Sequence, residues 1–363
     1  MFLSMANAAL DASVLFSFDR TGFLRHRLAF HPGDLDVDLT GRTAIVTGAN
    51  AGLGLVTARE LARRGAEVRM VCRSRERGEA ARDGVVRDTG NARVHLDVVD
   101  VSERLQVRAF AAQLDVPQID ILVNNAGVLL DAFERTGEGL ERTLATNLVG
   151  PFLLTLLLAP RLLRSDDGRV IAVSSGGMYT QRLDVAALAP DAAAPFDGVT
   201  AYARTKRAQV VLSELLADRY VGRPITWSAM HPGWADTPGV RTSLPWFRRI
   251  MQLVLRTPEE GADTILWLAV CPRLRGQSGR FWFDRQAVTT HLRDTRESGA
   301  DRAGLWDALV AWSGLTPAEV AASLGPAGAP GVDAGPIPTE PVRRGLSVRA
   351  GTGASRPRSR SRR

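Results

Sequence analysis

Cysteine is nearly absent from this 363-residue chain: only Cys72 and Cys271 occur, too few for a disulfide framework. That excludes the small disulfide-stapled class and points to free thiols in a reducing interior. No His/Cys/Asp/Glu cluster has ligand-like spacing, so no metal site is expected. Long hydrophobic runs are missing as well. The longest, Phe152–Leu163, is interrupted by Pro160 and Arg161 and has about half the length a membrane-spanning helix needs. It suits a buried helix better. Ala8–Phe18 is mildly apolar but carries Asp11 and has no basic leader, which argues against a signal peptide. A cytoplasmic location is therefore expected. Acidic residues are missing from one region. Val342–Arg363 holds eight arginines and neither Asp nor Glu, more than the whole net charge of +7, so the remainder is close to neutral. The stretch Gly325–Pro341 before it is rich in Gly, Pro and Ala. Residues 326–363 therefore read as a disordered tail. Such a tail reads first as a solvated, untethered end, with weak contact to an anionic membrane surface as the alternative and nucleic acid the less favoured partner.

What is present alternates between β-like and helical runs. Strands are expected at 43–48, 66–71, 92–97, 119–123, 169–174, 225–230 and 279–283. Helices are expected near 53–64, 75–88, 102–114, 138–164, 202–220 and 258–270. This alternation predicts a single α/β domain, a Rossmann-type doubly wound parallel sheet of about seven strands over residues 41–325, preceded by an extension at 1–40. Thr316-Pro317-Ala318-Glu319 adds a capping box for a short helix that Gly325 closes.

The first expected strand ends in Gly48-Ala49-Asn50-Ala51-Gly52-Leu53-Gly54, and a helical stretch follows at once. Glycines in such a turn let the backbone approach a pyrophosphate, whose charge the free N–H groups of the new helix bind. Downstream, Tyr202 and Lys206 stand at i and i+4 on one helix face. An ammonium beside a phenol keeps its proton transferable, as a hydride-transfer enzyme requires. Between them, Asn124-Asn125-Ala126-Gly127 ends the fourth strand, where small residues would pass close to an adenine ribose. Asn147 lies in the long helix, Ser174 and Ser175 end the fifth strand, and His231-Pro232-Gly233-Trp234-Ala235-Asp236-Thr237 follows the sixth. Strand ends of this kind open onto the ligand crevice of α/β sheets.

Taken together, T-G-x-x-x-G-x-G, N-N-A-G, the Asn, the Ser, Y-x-x-x-K and P-G-x-x-x-T resemble the short-chain dehydrogenase/reductase family over about residues 40–285. The resemblance implies an oxidoreductase with Tyr202 as general acid/base. Lys206 would lower the tyrosine pKa and bind the nicotinamide ribose, Ser175 would polarise the substrate carbonyl, and Asn147 would anchor a relay water. It implies cofactor contacts from Gly48, Asn50, Ala51, Gly52, Leu53, Gly54, Asp100, Val101, Asn124, Ala126, Gly127, Pro232, Gly233 and Thr237, and a homo-oligomer. Ala51 stands where relatives often carry Ser, which is expected to weaken affinity without abolishing it. The second strand runs into Cys72-Arg73-Ser74-Arg75 without a carboxylate. An acidic residue there would favour NAD(H), whereas Arg73, helped by Ser74, favours the 2′-phosphate of NADP(H). Trp234, Trp246, Phe247, Ile250, Met251, Leu253 and Val254 suggest a lid over a lipophilic carbonyl or alcohol. His231, Ser174 and Cys72 read as structural. The competing expectation is a low-turnover NADP(H)-binding scaffold or redox sensor whose Arg-rich tail meets anionic partners.

Overall fold

The computed structural model describes residues 17–189, 195–236, 249, 251–252, 254–292 and 295–325. Seven parallel strands form the sheet: β1 (Thr43–Thr47), β2 (Glu67–Cys72), β3 (Val94–Val98), β4 (Ile121–Asn124), β5 (Gly168–Val173), β6 (Ile225–Met230) and β7 (Arg280–Phe283). They run in the order β3-β2-β1-β4-β5-β6-β7, and an eighth strand, β8 (Gln286–Ala287), joins β7 antiparallel at the edge. The expected parallel, doubly wound sheet is therefore present, with one short strand more than the sequence suggested. β8 escapes detection because two residues carry no periodicity. It exists through the turn at Asp284 (φ 45) and Arg285 (φ 59), a left-handed pair of the kind that closes two-residue hairpins.

Helices cover both faces. One holds α2 (Gly52–Arg63), α3 (Arg75–Thr89) and α7 (Pro258–Val270), packed on Ile121, Val123 and Ile171. The other holds α4 (Arg104–Gln113), α5 (Arg142–Leu162), α6 (Gly198–Arg219) and α8 (Gly299–Ser313), packed on Leu122, Val170 and Trp227. Alternate residues of one strand thus feed opposite cores, which is why these strands read as unbroken apolar runs. α5 is long and apolar enough to cross a membrane, but 89% of that stretch is buried inside the protein. A Pro at position 160 stays within it, near its end.

The expected short helix is α9 (Pro317–Ser323), with Thr316 and Glu319 forming the capping box and Gly325 at φ 70 just beyond. Two helices went unforeseen. α8 begins with its own capping box, Ser298 with Asp301, a signal legible in sequence. α1 (Arg20–Arg27) lies in the segment ahead of β1 and is capped by Asp19, which accepts from Gly22 N. Strand order reverses between β1 and β4, so the crevice opens at the C-terminal ends of these strands. Gly48, Asn124, Ser175 and His231 all stand at such ends.

Candidate active site

The glycine turn fits a pyrophosphate on its own geometry. A Cβ on Gly54 would lie 2.4 Å from Gly48 O and 2.5 Å from Asn125 Nδ2, so only glycine lets the helix start this close to the strand end. Ala51 is the N-cap of α2 and supplies no side-chain hydrogen bond, leaving the first N–H groups of the helix to an anion. Asn125 braces the crevice: its Nδ2 donates to Thr47 O (2.8 Å), and its N and Ala126 N both donate to Thr47 Oγ1 (3.0 Å). Just past the end of β2, Arg73 is exposed and pairs with no carboxylate among the described residues. Ser74 caps α3, accepting from Arg77 N at 3.4 Å. Asp100 Oδ1 accepts from Ser102 N and Oγ, and Val101 is buried. Asn124 turns its side chain away, donating to Thr155 Oγ1 (3.0 Å) on α5. Thr237 lies outside the described residues, as do Trp246, Phe247, Ile250 and Leu253.

The candidate acid/base group is assembled from three elements. Tyr202 and Lys206 sit on α6, and Lys206 Nζ lies 5.3 Å from the centre of the Tyr202 ring. Ser175 starts a short 3-10 turn (Gly176–Thr180) and hydrogen-bonds Tyr202 despite the 27 intervening positions, favouring the phenolate. Lys206 Nζ donates to Val173 O (2.8 Å) and is fully enclosed, and burial pushes its pKa down to about 7. Burial also pushes the Tyr202 phenol above its ordinary value, and the Ser175 bond opposes that shift. The sequence argument expected Lys206 to lower the phenol. Burial is the larger cause of the shift, and Lys206 Nζ donates to the Val173 carbonyl. Ser174, as expected, is structural: its Oγ donates to Lys206 O.

Asn147 is completely buried within a π-helical turn, Ala145–Val149. Its Oδ1 accepts from Val128 N (2.8 Å), and its Nδ2 donates to Val128 O and to Thr205 Oγ1, which in turn donates to Tyr202 O. The Asn147 carbonyl accepts from Gln209 Nε2 at 2.6 Å. The Gln209 side chain is thus a partner of that carbonyl which the sequence did not foretell. Gln209 lies one turn beyond Lys206, a position that carries no motif in sequence.

The loop after β6 is fixed by contacts the sequence did not reveal. His231 stacks on Phe283 at 4.1 Å and accepts from Gly233 N through Nδ1. Burial holds its pKa down at about 3, consistent with a packed, neutral ring. An unfolded chain would therefore take up this proton first, so the stability His231 permits is present above pH 6.5 and lost as pH falls toward 3. His231→Phe should flatten the fall of the denaturation midpoint across that interval; an unchanged pH profile would remove His231 as its source. Pro232 O accepts from Arg256, and Gly233 (φ 71) leaves room for the Arg256 guanidinium, which a Cβ would meet at 2.5 Å. Arg256 is buried and grips Asp284 through two bonds of 2.5 and 2.9 Å. Phe18, His26, Arg256 and Asp284 are the residues that motif reading missed.

The profile of the short chain dehydrogenase family matches residues 42–246. The chain belongs to this family. The short-chain dehydrogenase/reductase fold accounts for every strand-end motif above, and it makes the protein an oxidoreductase that works with a nicotinamide cofactor. The chain is 43% identical to human dehydrogenase/reductase SDR family member 12 over 284 residues, 77% of this chain and 88% of that one. It is 37% identical to bovine retinol dehydrogenase 12 over 278 residues, 75% of this chain and 86% of the relative. Among solved structures, a short chain dehydrogenase of Escherichia coli CFT073 complexed with NADPH is 25% identical. It superimposes with a TM-score of 0.57 over 70% of this chain and all of that one.

Proposed function

We propose that this dehydrogenase uses NADP(H) to interconvert a lipophilic carbonyl compound and its alcohol, with Tyr202 as the group that moves the proton. The observation that carries the reading is the buried junction of Tyr202 with Ser175 and Lys206, braced through Thr205 by Asn147. A protein that merely bound a nucleotide would have no need for an ammonium held at a pKa of about 7 beside a phenol.

Gly48, Asn50, Gly52, Leu53 and Gly54 would hold the pyrophosphate, with Ala126, Gly127, Pro232 and Gly233 along the rest of the dinucleotide. Gly127 borders the chemistry most closely, since a Cβ there would lie 3.4 Å from both Asn147 Oδ1 and Lys206 Nζ. When bound, the cofactor supplies or accepts the hydride. In reduction, the Ser175 hydroxyl holds the substrate oxygen and Tyr202 gives that oxygen its proton. Lys206, near its own titration point, can share a proton with the phenol as it is restored. Lys206 Nζ on Val173 O and Ser174 Oγ on Lys206 O tie α6 to the end of β5, so that Ser175 and Tyr202 address one oxygen.

NADP(H) is favoured by Arg73, exposed and without a carboxylate at the end of β2, and by the NADPH-complexed structural relative. Arg73→Ala should raise the Kd for NADPH by roughly tenfold and leave that for NADH within about twofold, since one charge-assisted phosphate contact is lost. Equal losses for both, read by cofactor fluorescence titration, would reverse the assignment. The retinol dehydrogenase relative and the partly exposed Trp234 favour a hydrophobic substrate. The test is consumption of NADPH and NADH with all-trans-retinal, decanal and a steroid ketone, set beside small polar carbonyls. Turnover confined to the polar set would overturn the substrate class.

A further inference from the structure

The segment ahead of β1 reads in sequence as an appendage, yet it is built into the substrate side of the crevice. Phe18 is buried, and its ring lies against Gly176, where a Cβ would come within 2.7 Å of it. Gly176 directly follows Ser175. On its other sides the ring meets His231 (4.5 Å between centres), Phe283 (5.2 Å) and Trp234 (6.0 Å, edge-on). One aromatic side chain thus fills the space between the turn after β5 and the loop after β6.

The backbone of this segment is tied down with equal density. Trp234 N donates to Phe18 O (2.8 Å), and Arg20 N donates to Val254 O (2.8 Å). Arg256 Nε donates to Asp19 O and its Nη2 to Ser17 O, both at 3.0 Å, while the same guanidinium holds Asp284. His26 Nδ1, at the far end of α1, stands 2.6 Å from Asp284 Oδ2. Both ends of the segment therefore anchor on the β7–β8 turn and on the loop after β6. The glycine turn and Arg73 receive none of these contacts.

We propose that residues 17–27 are a positioning element of the active site, in which Phe18 sets the Ser175 turn against the Trp234 loop and so governs substrate binding more strongly than cofactor binding, which the glycine turn and Arg73 still anchor. This rests on the oxidoreductase reading above. Neither loop can keep its place alone: Gly176 offers no side chain, and Gly233 bends the chain at φ 71. A residue from outside the Rossmann core supplies the missing volume.

The test compares Phe18→Ala with Phe18→Leu in the full chain. Hydrogen exchange should accelerate roughly tenfold in peptides covering 174–178 and 231–236 in Phe18→Ala, with peptides over 44–54 unchanged. Phe18→Leu should restore most of the protection. With whichever aldehyde the panel selects, KM should rise roughly tenfold in Phe18→Ala while NADPH Kd stays within about twofold. Plain loss of folded protein would instead lower kcat at constant KM. Uniform acceleration that includes 44–54, or an unchanged KM, would overturn the proposal. If no carbonyl is turned over and Tyr202→Phe behaves as the parent, the oxidoreductase reading fails. The exchange pattern still decides whether Phe18 joins the two loops.

Discussion

Tyr202→Phe should lower kcat/KM for the aldehyde substrate by roughly 10²–10⁴-fold, the usual contribution of a positioned proton donor. NADPH affinity should stay within about twofold, because the change removes one oxygen and leaves the ring packed beside Lys206. The size of the effect follows from the site. Burial holds the phenol pKa above its ordinary value, so the hydroxyl is protonated at neutral pH and available as an acid. Ser175 can hold the substrate oxygen but has no charge to offset a proton deficit. The measurement is steady-state kinetics with cofactor titration alongside. Full activity in the variant would show that another group moves the proton, and the low pKa of Lys206 would make that residue the first to examine.

Arg256→Ala should be the most damaging substitution for stability. Arg256 and Asp284 are both almost fully buried, and removing Arg256 leaves the buried Asp284 carboxylate with His26 as its remaining partner, at a cost of about 3–5 kcal/mol. It also strips donors from Ser17 O and Asp19 O. For a chain this size the melting temperature should drop by on the order of 10 °C. The double variant Arg256→Met, Asp284→Asn should recover part of that loss, since no unpaired charge remains. Thermal denaturation of the three proteins decides it. A single-variant drop of only about 1 kcal/mol would mean that water reaches the stranded carboxylate.

These two predictions differ in how visible they were. Tyr202 stood out because Lys206 follows one helical turn on and the other motifs come in order along the chain, most of them at strand ends. Strand ends converge in a parallel sheet, so a list of motifs in sequence order became a cluster in space. Arg73 was legible for a similar reason: it directly follows the end of β2, where the crevice of a parallel sheet opens. Arg256 offered no such handle. A lone arginine in Leu-Arg-Thr reads as a solvated charge, and its partner Asp284 lies 28 positions further on, in a turn whose left-handed backbone would normally suggest glycine.

Gln209 and Phe18 were hidden by the same logic. Gln209 matters because a π-helical turn in α5 presents the Asn147 carbonyl to α6, and local propensity does not foretell a one-residue change in helical winding. Phe18 matters because a gap beside Gly176 happens to face it. That gap belongs to no single element.

The sequence by itself determined the doubly wound sheet, the dinucleotide turn and the family. Period, glycine placement and strand-end motifs are local properties that a parallel sheet converts directly into geometry. Only the tertiary structure decided how the proton-moving group is tuned and what holds the substrate side together. Burial set the titration of Tyr202 and Lys206, and desolvation depends on everything packed around a group. The clamp of Phe18, Arg256, Asp284 and His26 draws on segments more than 200 residues apart, and no spacing along the chain encodes a contact of that range.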